Sequence, residues 1–220
     1  MKKYFLLITF FSVGVLTSQK KKEDDTTKKE KTEKTIADLT KSSKKISGLF
    51  TIYQDTISGS IKMVVRENQL NKDFIYFSQI ADGVTEAGSY RGSYQGSTIF
   101  NLRRYFNKIE IVAPNTNFYF DPENTLSKSK NANTSDALIA SNKILAYKKD
   151  SGLYLIDATD LFLSETLTRI KSPKRPGTPP TAFSLGGFDK NKSKIVSIKN
   201  YPENTNIKTE YVYKNPSVLN

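Results

Sequence analysis

The sequence contains neither cysteine nor histidine. Without a thiol there is no disulfide, no thiolate zinc site and no cysteine nucleophile. Without an imidazole the commonest general base, the usual nitrogen metal ligand and the Ser-His-Asp relay are all excluded. Apolar residues make up 37% of the 220, a modest share for a globular chain, so part of the chain has to lie outside a packed core. Long apolar runs are equally scarce. The one present, Tyr4 to Leu16, follows Lys2 and Lys3 and gives way to Thr17, Ser18 and Gln19. A basic start, a short apolar stretch and small polar residues are the order of a secretory signal peptide, and the run falls short of the ~20 residues needed to cross a bilayer. Residues 1–18 are therefore expected to be a signal peptide, with no stable membrane span left after cleavage, although Leu16 is not the small residue favoured three positions before a cut. No cysteine stands at the cut to carry a lipid, so a soluble, exported product is expected.

What is abundant is lysine. The formal net charge of +12 suggests a nucleic-acid binder until it is divided along the chain. Residues 1–18 carry two lysines and no acid, residues 19–45 carry ten lysines against six acids, and the remaining 175 carry 22 basic against 16 acidic groups. Half of the excess precedes residue 46 and the rest is scattered, with no helix-turn-helix or RNP-like pattern beside it. No nucleic-acid partner is expected. Residues 19–45 hold almost no large apolar side chains beyond Ile36 and Leu39, so they read as a disordered, lysine-rich tether.

From Ile46 the texture changes to short runs of Ile, Val, Phe, Tyr and Thr punctuated by Gly, Asn, Asp and Pro, which is strand-and-turn grammar. Residues 46–214 are expected to form a β-rich domain, with 215–220 as a C-terminal end. Gly48–Tyr53 and Ile61–Val65 read as a hairpin around Gly59, and Glu67–Leu70 as one helical turn. Phe74–Ile80, apolar on nearly every position, reads as a central strand. Thr98–Arg103, Lys108–Val112 and Asn117–Phe120 continue the sheet. Ser135 reads as the cap of a helix through Ala137–Ala140. Ile144–Lys148 and Leu153–Ile156 are strands joined at Asp150-Ser151-Gly152, and Asp157 or Thr159 can start a helix over Leu161–Glu165. Lys171–Pro180 reads as a proline-rich linker, and Lys194–Lys199 with Asn206–Lys214 as the closing strands. The fold class predicted is mainly β, an antiparallel sheet or sandwich with two or three short helices, incomplete at its C-terminus.

Carboxylates remain as candidates for chemistry. Asp157 with Asp160, and Asp121 with Glu123, are the nearest pairs, but helix-start and turn roles account for both. No Asp-x-Asp-x-Asp-Gly calcium loop is present. The Gly88–Gly96 stretch presents Tyr90, Arg91 and Tyr94 in a glycine-rich loop, the best candidate surface for a peptide or glycan. It is not a phosphate loop, because no helix start or Lys-Thr follows.

The order of segments resembles a known family. Gly48-Leu49-Phe50-Thr51-Ile52-Tyr53, then Leu70-Asn71-Lys72-Asp73-Phe74-Ile75-Tyr76-Phe77-Ser78-Gln79-Ile80, is similar to the start of exported zinc-dependent metalloproteases of Gram-negative bacteria, whose catalytic domain follows a region of unknown function. Asp157-Ala158-Thr159-Asp160-Leu161-Phe162 and Ser193–Asn204 resemble later steps of that region, so the likeness spans residues 46–214. It implies a periplasmic or secreted, non-catalytic accessory region, a truncated or split product, whose partner is a downstream metalloprotease domain in cis or as a separate chain. The zinc of such proteins is held by a downstream His-Glu-x-x-His, absent here. No catalytic, cofactor-binding or metal residue is therefore carried over, and no cofactor is expected in this chain. The alternatives are a free-standing extracellular peptide- or glycan-binding module and a hydrolase built on carboxylates alone.

Overall fold

The computed structural model describes residues 34–129, 132, 134–170, 177 and 184–215. The expected signal peptide, most of the tether and nearly all of the linker 171–180 lie outside the described residues.

The end of the expected tether, from Ile36 on, is structured. Thr35 caps a single helical turn, α1 (Ile36–Leu39), in a reciprocal box: its hydroxyl accepts from the Asp38 N–H at 3.2 Å, and the Asp38 carboxylate accepts from the Thr35 N–H at 3.2 Å. The chain then enters β1 (Ser43–Ile46). Order reaches this far because Ile36 and Leu39 have a place to go. They pack on Val64 and Leu155, which point out of the far face of the sheet and would otherwise meet water.

Eight strands form one antiparallel sheet. In chain order they are β1, β2 (Thr51–Asp55), β3 (Ile61–Arg66), β4 (Asp73–Gln79), β5 (Tyr94–Tyr105), β6 (Lys108–Ala113), β7 (Ala137–Lys148) and β8 (Leu153–Asp157). Their spatial order is β1-β2-β3-β8-β7-β6-β5-β4. Phe50, just before β2, and Phe74 of β4 stand six strand spacings apart in that order, about 29 Å in a flat sheet. Their rings are 5.0 Å apart. The sheet therefore folds over on itself, and β7 is the crease. Ala137–Lys143 of β7 pair with β6, Ile144–Lys148 pair with β8, and a bulge falls at Leu145, one residue past the change of partner. A bulged strand that changes partners is the usual way to turn a sheet corner.

The core lies inside the fold. Ile52, Ile61, Met63, Val65, Tyr154 and Ile156 from one half meet Leu102, Ile109 and Ile111 from the other. Burying each such side chain contributes about 1.5–3 kcal/mol. Strands β3 and β8 are covered on both faces, by this core and by α1, and are the true centre of the sheet. β4, read from sequence as central, is an edge strand instead. Its apolar residues do alternate between faces, but one of those faces is open: Phe74, Tyr76 and Ser78 are half-buried while Ile75 and Phe77 are exposed.

Two further expectations give way. Ala137–Ala140 is strand, because its backbone completes the ladder to β6, which outweighs a four-residue apolar run behind a serine. Asn117–Phe120 forms no strand. The expected helix after Asp157 is one turn, α2 (Thr159–Phe162).

Beyond α2 come β9 (Gly187–Phe188), β10 (Lys194–Asn200), β11 (Thr205–Glu210) and β12 (Tyr213–Lys214). β10 and β11 make a hairpin whose Ile195, Ile198 and Ile207 pack on the main core. The segment read as one strand, Asn206–Lys214, breaks at Tyr211 and Val212. There the Tyr211 hydroxyl reaches the carbonyls of Phe162 and Ser164, both at 2.8 Å, and the Val212 N–H donates to Ser193 Oγ. The last strand, expected to be unclosed, pairs with β9. That pairing depends on Gly186, whose φ of 81° and lack of a Cβ let the Lys214 carbonyl approach closely.

Candidate functional site

Among the described residues, the outer face of the β4–β5 hairpin gathers exposed apolar side chains. Strand alternation sends Phe74 inward, stacked between Phe50 and Phe100 at 5.0 and 5.6 Å, and sends Ile75 and Phe77 outward. Ile75 is 77% exposed and Phe77 57%. Ile75 lies opposite Ile99, and Gln79 lies opposite Tyr94. The latter pairing results from a bulge at Gln95, which turns Tyr94 to the same side as Phe77. The two rings sit 5.5 Å apart, and the Tyr94 hydroxyl donates to Ser97 Oγ at 2.9 Å. Next to Ile75 and Ile99, the residues Ser97, Thr98, Pro114 and Thr116 complete a shallow hollow of about 330 Å³. The strand's outer edge pairs with nothing among the described residues.

Among the sequence-predicted trio, only Tyr94 joins this face. Arg91 is held 3.5 Å from Asp82 in an exposed ion pair, and Tyr90 stays exposed on the turn that its carbonyl closes with the Ser93 N–H. Ile75, Phe77 and Ile99 were missed because they were counted as core. The signal that identifies them is alternation: an edge strand apolar on both faces has one face in need of a cover.

The carboxylate pairs have structural partners. Asp157 accepts from the Thr159 N–H at 2.9 Å, Asp160 pairs with Lys190, and Asp121 accepts from the Glu123 N–H at 3.0 Å. Among the described residues no three acidic, histidine or cysteine side chains gather as a metal site. The shifted titrations belong to the scaffold. Burial pushes the Tyr211 phenol up to about 12. Burial, and then the hydrogen bond to Glu165, raise that of Tyr213 well above the usual tyrosine range. Hydrogen bonds from Ser42 and from Ile57 and Ser58 hold Asp55 far below the usual carboxylate range.

The sequence profile of DUF5117, a domain of unknown function, matches residues 92–219, more than half of the chain. The chain belongs to the DUF5117 family. The match runs from the loop before β5 through β12, so β1–β4 lie outside it although β2, β3 and β4 share the core of the matched strands. The match supports a region of unknown function over a shorter span than 46–214; it carries no link to a metalloprotease, and the DUF5117 description assigns no activity. No curated protein and no solved structure matches the chain significantly.

Proposed function

We propose that this DUF5117 chain is an exported, non-catalytic accessory region whose β4–β5 outer face docks onto a zinc-dependent metalloprotease domain, in cis or as a separate chain. The observation that carries the docking is the exposed group Ile75, Phe77, Tyr94 and Ile99 beside the Pro114–Thr116 hollow. Apolar side chains set together on an open sheet face mark a surface that a partner covers. The choice of partner rests on the sequence likeness of 46–214 to the front region of such proteases. Zinc does not fit the residues present: there is no imidazole or thiolate in the chain, and no acidic cluster among the described residues. The metal and the chemistry would belong to the partner.

Two measurements test this. The DNA following the codon for Asn220 is expected to encode His-Glu-x-x-His in the same or an adjacent frame; an unrelated gene there removes the protease reading. Co-expressed with that domain, the chain is expected to co-purify, and Ile75→Lys with Phe77→Asp should weaken association by roughly 30-fold or more, as loss of a central apolar anchor does. Both positions are exposed, so circular dichroism should be unchanged. Undiminished co-purification of the double variant would show that the face is not the docking surface.

A free-standing peptide- or glycan-binding module is the second reading, favoured by the exposed ring of Tyr90. Tyr90→Ala separates the two, since it should abolish such binding and leave the protease complex intact.

A further inference from the structure

At the opposite end of β5 two features cost the fold stability within a few residues of each other. The turn between β5 and β6 places Phe106 at φ 48°, a left-handed conformation that a bulky residue adopts against its own Cβ. It is nevertheless 76% exposed and gains little from burial; its edge contact, at 4.8 Å, is to Tyr105, which is exposed as well. Just behind, Lys108 lies directly opposite Lys143 across β6 and β7, and Tyr105 lies opposite Lys108. Like charges in register repel, and neither lysine has an ion-pair partner among the described residues. The charges further from the turn are arranged differently: Arg103 faces Glu110 in register and pairs with Asp136 at 2.6 Å. Arg104 braces the turn from beneath, donating to the Phe106 carbonyl at 3.1 Å while its guanidinium lies over the rings of Tyr147 and Tyr154.

We infer that this turn is a contact for an anionic lipid surface, with the Tyr105 and Phe106 rings entering the headgroup layer and Lys108 and Lys143 meeting lipid phosphates. Arg104 to Lys108 are all exposed, so the turn presents a tip and not a groove for a peptide. Lys108, opposite Tyr105 across the two-residue turn, stands directly behind the Phe106 tip, so that rings entering the interface by ~5–10 Å carry the ammonium groups to the phosphate level. Aromatic rings ahead of lysines is the layering that a bilayer surface rewards. Strain and repulsion that weaken the free protein are offset once the rings are covered and the ammonium groups are neutralised.

The chain contains no tryptophan, so Phe106→Trp gives a single reporter at the tip whatever the leader segment does. On vesicles of phosphatidylcholine with roughly one-third phosphatidylglycerol, its emission is expected to shift to the blue and to be quenched by brominated acyl chains. Pure phosphatidylcholine should produce no shift. Adding Lys143→Glu, which exchanges a repulsive cross-strand pair for an attractive one and so should not unfold the chain, is expected to weaken the transition at least about fivefold, the value of one lysine at a charged bilayer. An unshifted emission, a shift independent of phosphatidylglycerol, or a shift indifferent to Lys143→Glu would overturn the inference. Binding to a soluble polyanion without quenching by brominated lipid would overturn it in favour of a purely electrostatic protein or glycan contact.

Discussion

Asn200 joins parts of the fold that are 150 or more residues apart. Its amide donates to the carbonyls of Ile46, at 3.0 Å, and Phe50, and its carbonyl accepts from the Thr205 hydroxyl at 2.7 Å. The β10–β11 hairpin is thereby fixed to the β1–β2 turn, where the Leu49 N–H also donates to the Tyr201 carbonyl. Gly48 makes the approach possible for reasons of space. A Cβ there would stand 2.1 Å from Asn200 Oδ1 and 2.7 Å from the Tyr201 carbonyl. Gly48→Ala is accordingly expected to lower stability by about 1–3 kcal/mol, the usual cost of overpacking, in urea denaturation. The size of the loss matters less than its place, for amide exchange should quicken first in β10 and β11. A uniform loss of protection across all strands would show that the contact is not a local hinge between the hairpin and the sheet.

The turn between β2 and β3 shows how one side chain organises an element. The Asp55 carboxylate accepts from the Ile57 and Ser58 N–H groups at 3.1 and 2.8 Å, and from the hydroxyls of Ser58 and Ser42. These bonds favour the ionised form, which is why its pKa is depressed. A depressed carboxylate stabilises the fold above its unfolded value, near ~3.9, and that contribution disappears as pH falls through the folded value. In a carboxyl-detected NMR titration Asp55 is expected to stay ionised well below the pH at which an unstructured aspartate protonates, and Ile57 and Ser58 amide shifts should move with it. Protonation of Asp55 in the range of an unstructured aspartate would contradict the hydrogen-bond account. Hairpins of this kind were legible in the sequence, because Gly59 and the flanking Ile-x-Met-Val-Val and Thr-Ile-Tyr runs each state their part locally. Position in the sheet was not. Phe74–Ile80 carries the composition of a buried strand, but Ile75 and Phe77 are apolar on a face that the described residues leave open. Ala137–Ala140 reads as helix in isolation and is held as strand by β6. Ile36 and Leu39 look stranded among lysines until Val64 and Leu155 are seen to need a cover. Each miss concerns a partner remote in sequence, and no window of neighbouring residues contains it.

At the scale of the whole molecule, the two edges of the eight-stranded sheet are managed differently. β1 is four residues long and carries Lys44 and Lys45, a short and charged edge of the sort that resists pairing with another chain. β4 is seven residues long with neither lysine nor proline, and it shows Ile75 and Phe77 to solvent. The isolated chain is therefore expected to self-associate through β4 at high concentration. Ile75→Lys should shift light-scattering mass toward the monomer with the melting temperature within about 1–2 °C of the parent, since an exposed side chain contributes little to the folded state. Association that persists unchanged would place the contact elsewhere. The candidate docking face was hidden from the sequence for the same reason: which of two apolar faces remains open is decided by the folding-over of the sheet at β7. That crease also bears on the time course of folding. β3, the most deeply covered strand, pairs with β2 almost as soon as both exist, yet its other edge waits for β8, whose first pairing residue, Leu153, lies 87 positions beyond Arg66. The middle of the eight-stranded sheet is closed by the strand pairing that is most distant in the chain. Topologies of that kind fold slowly, and through the interval the edge left waiting is Ile61-Lys62-Met63-Val64-Val65, the run that has most to lose by finding another strand first.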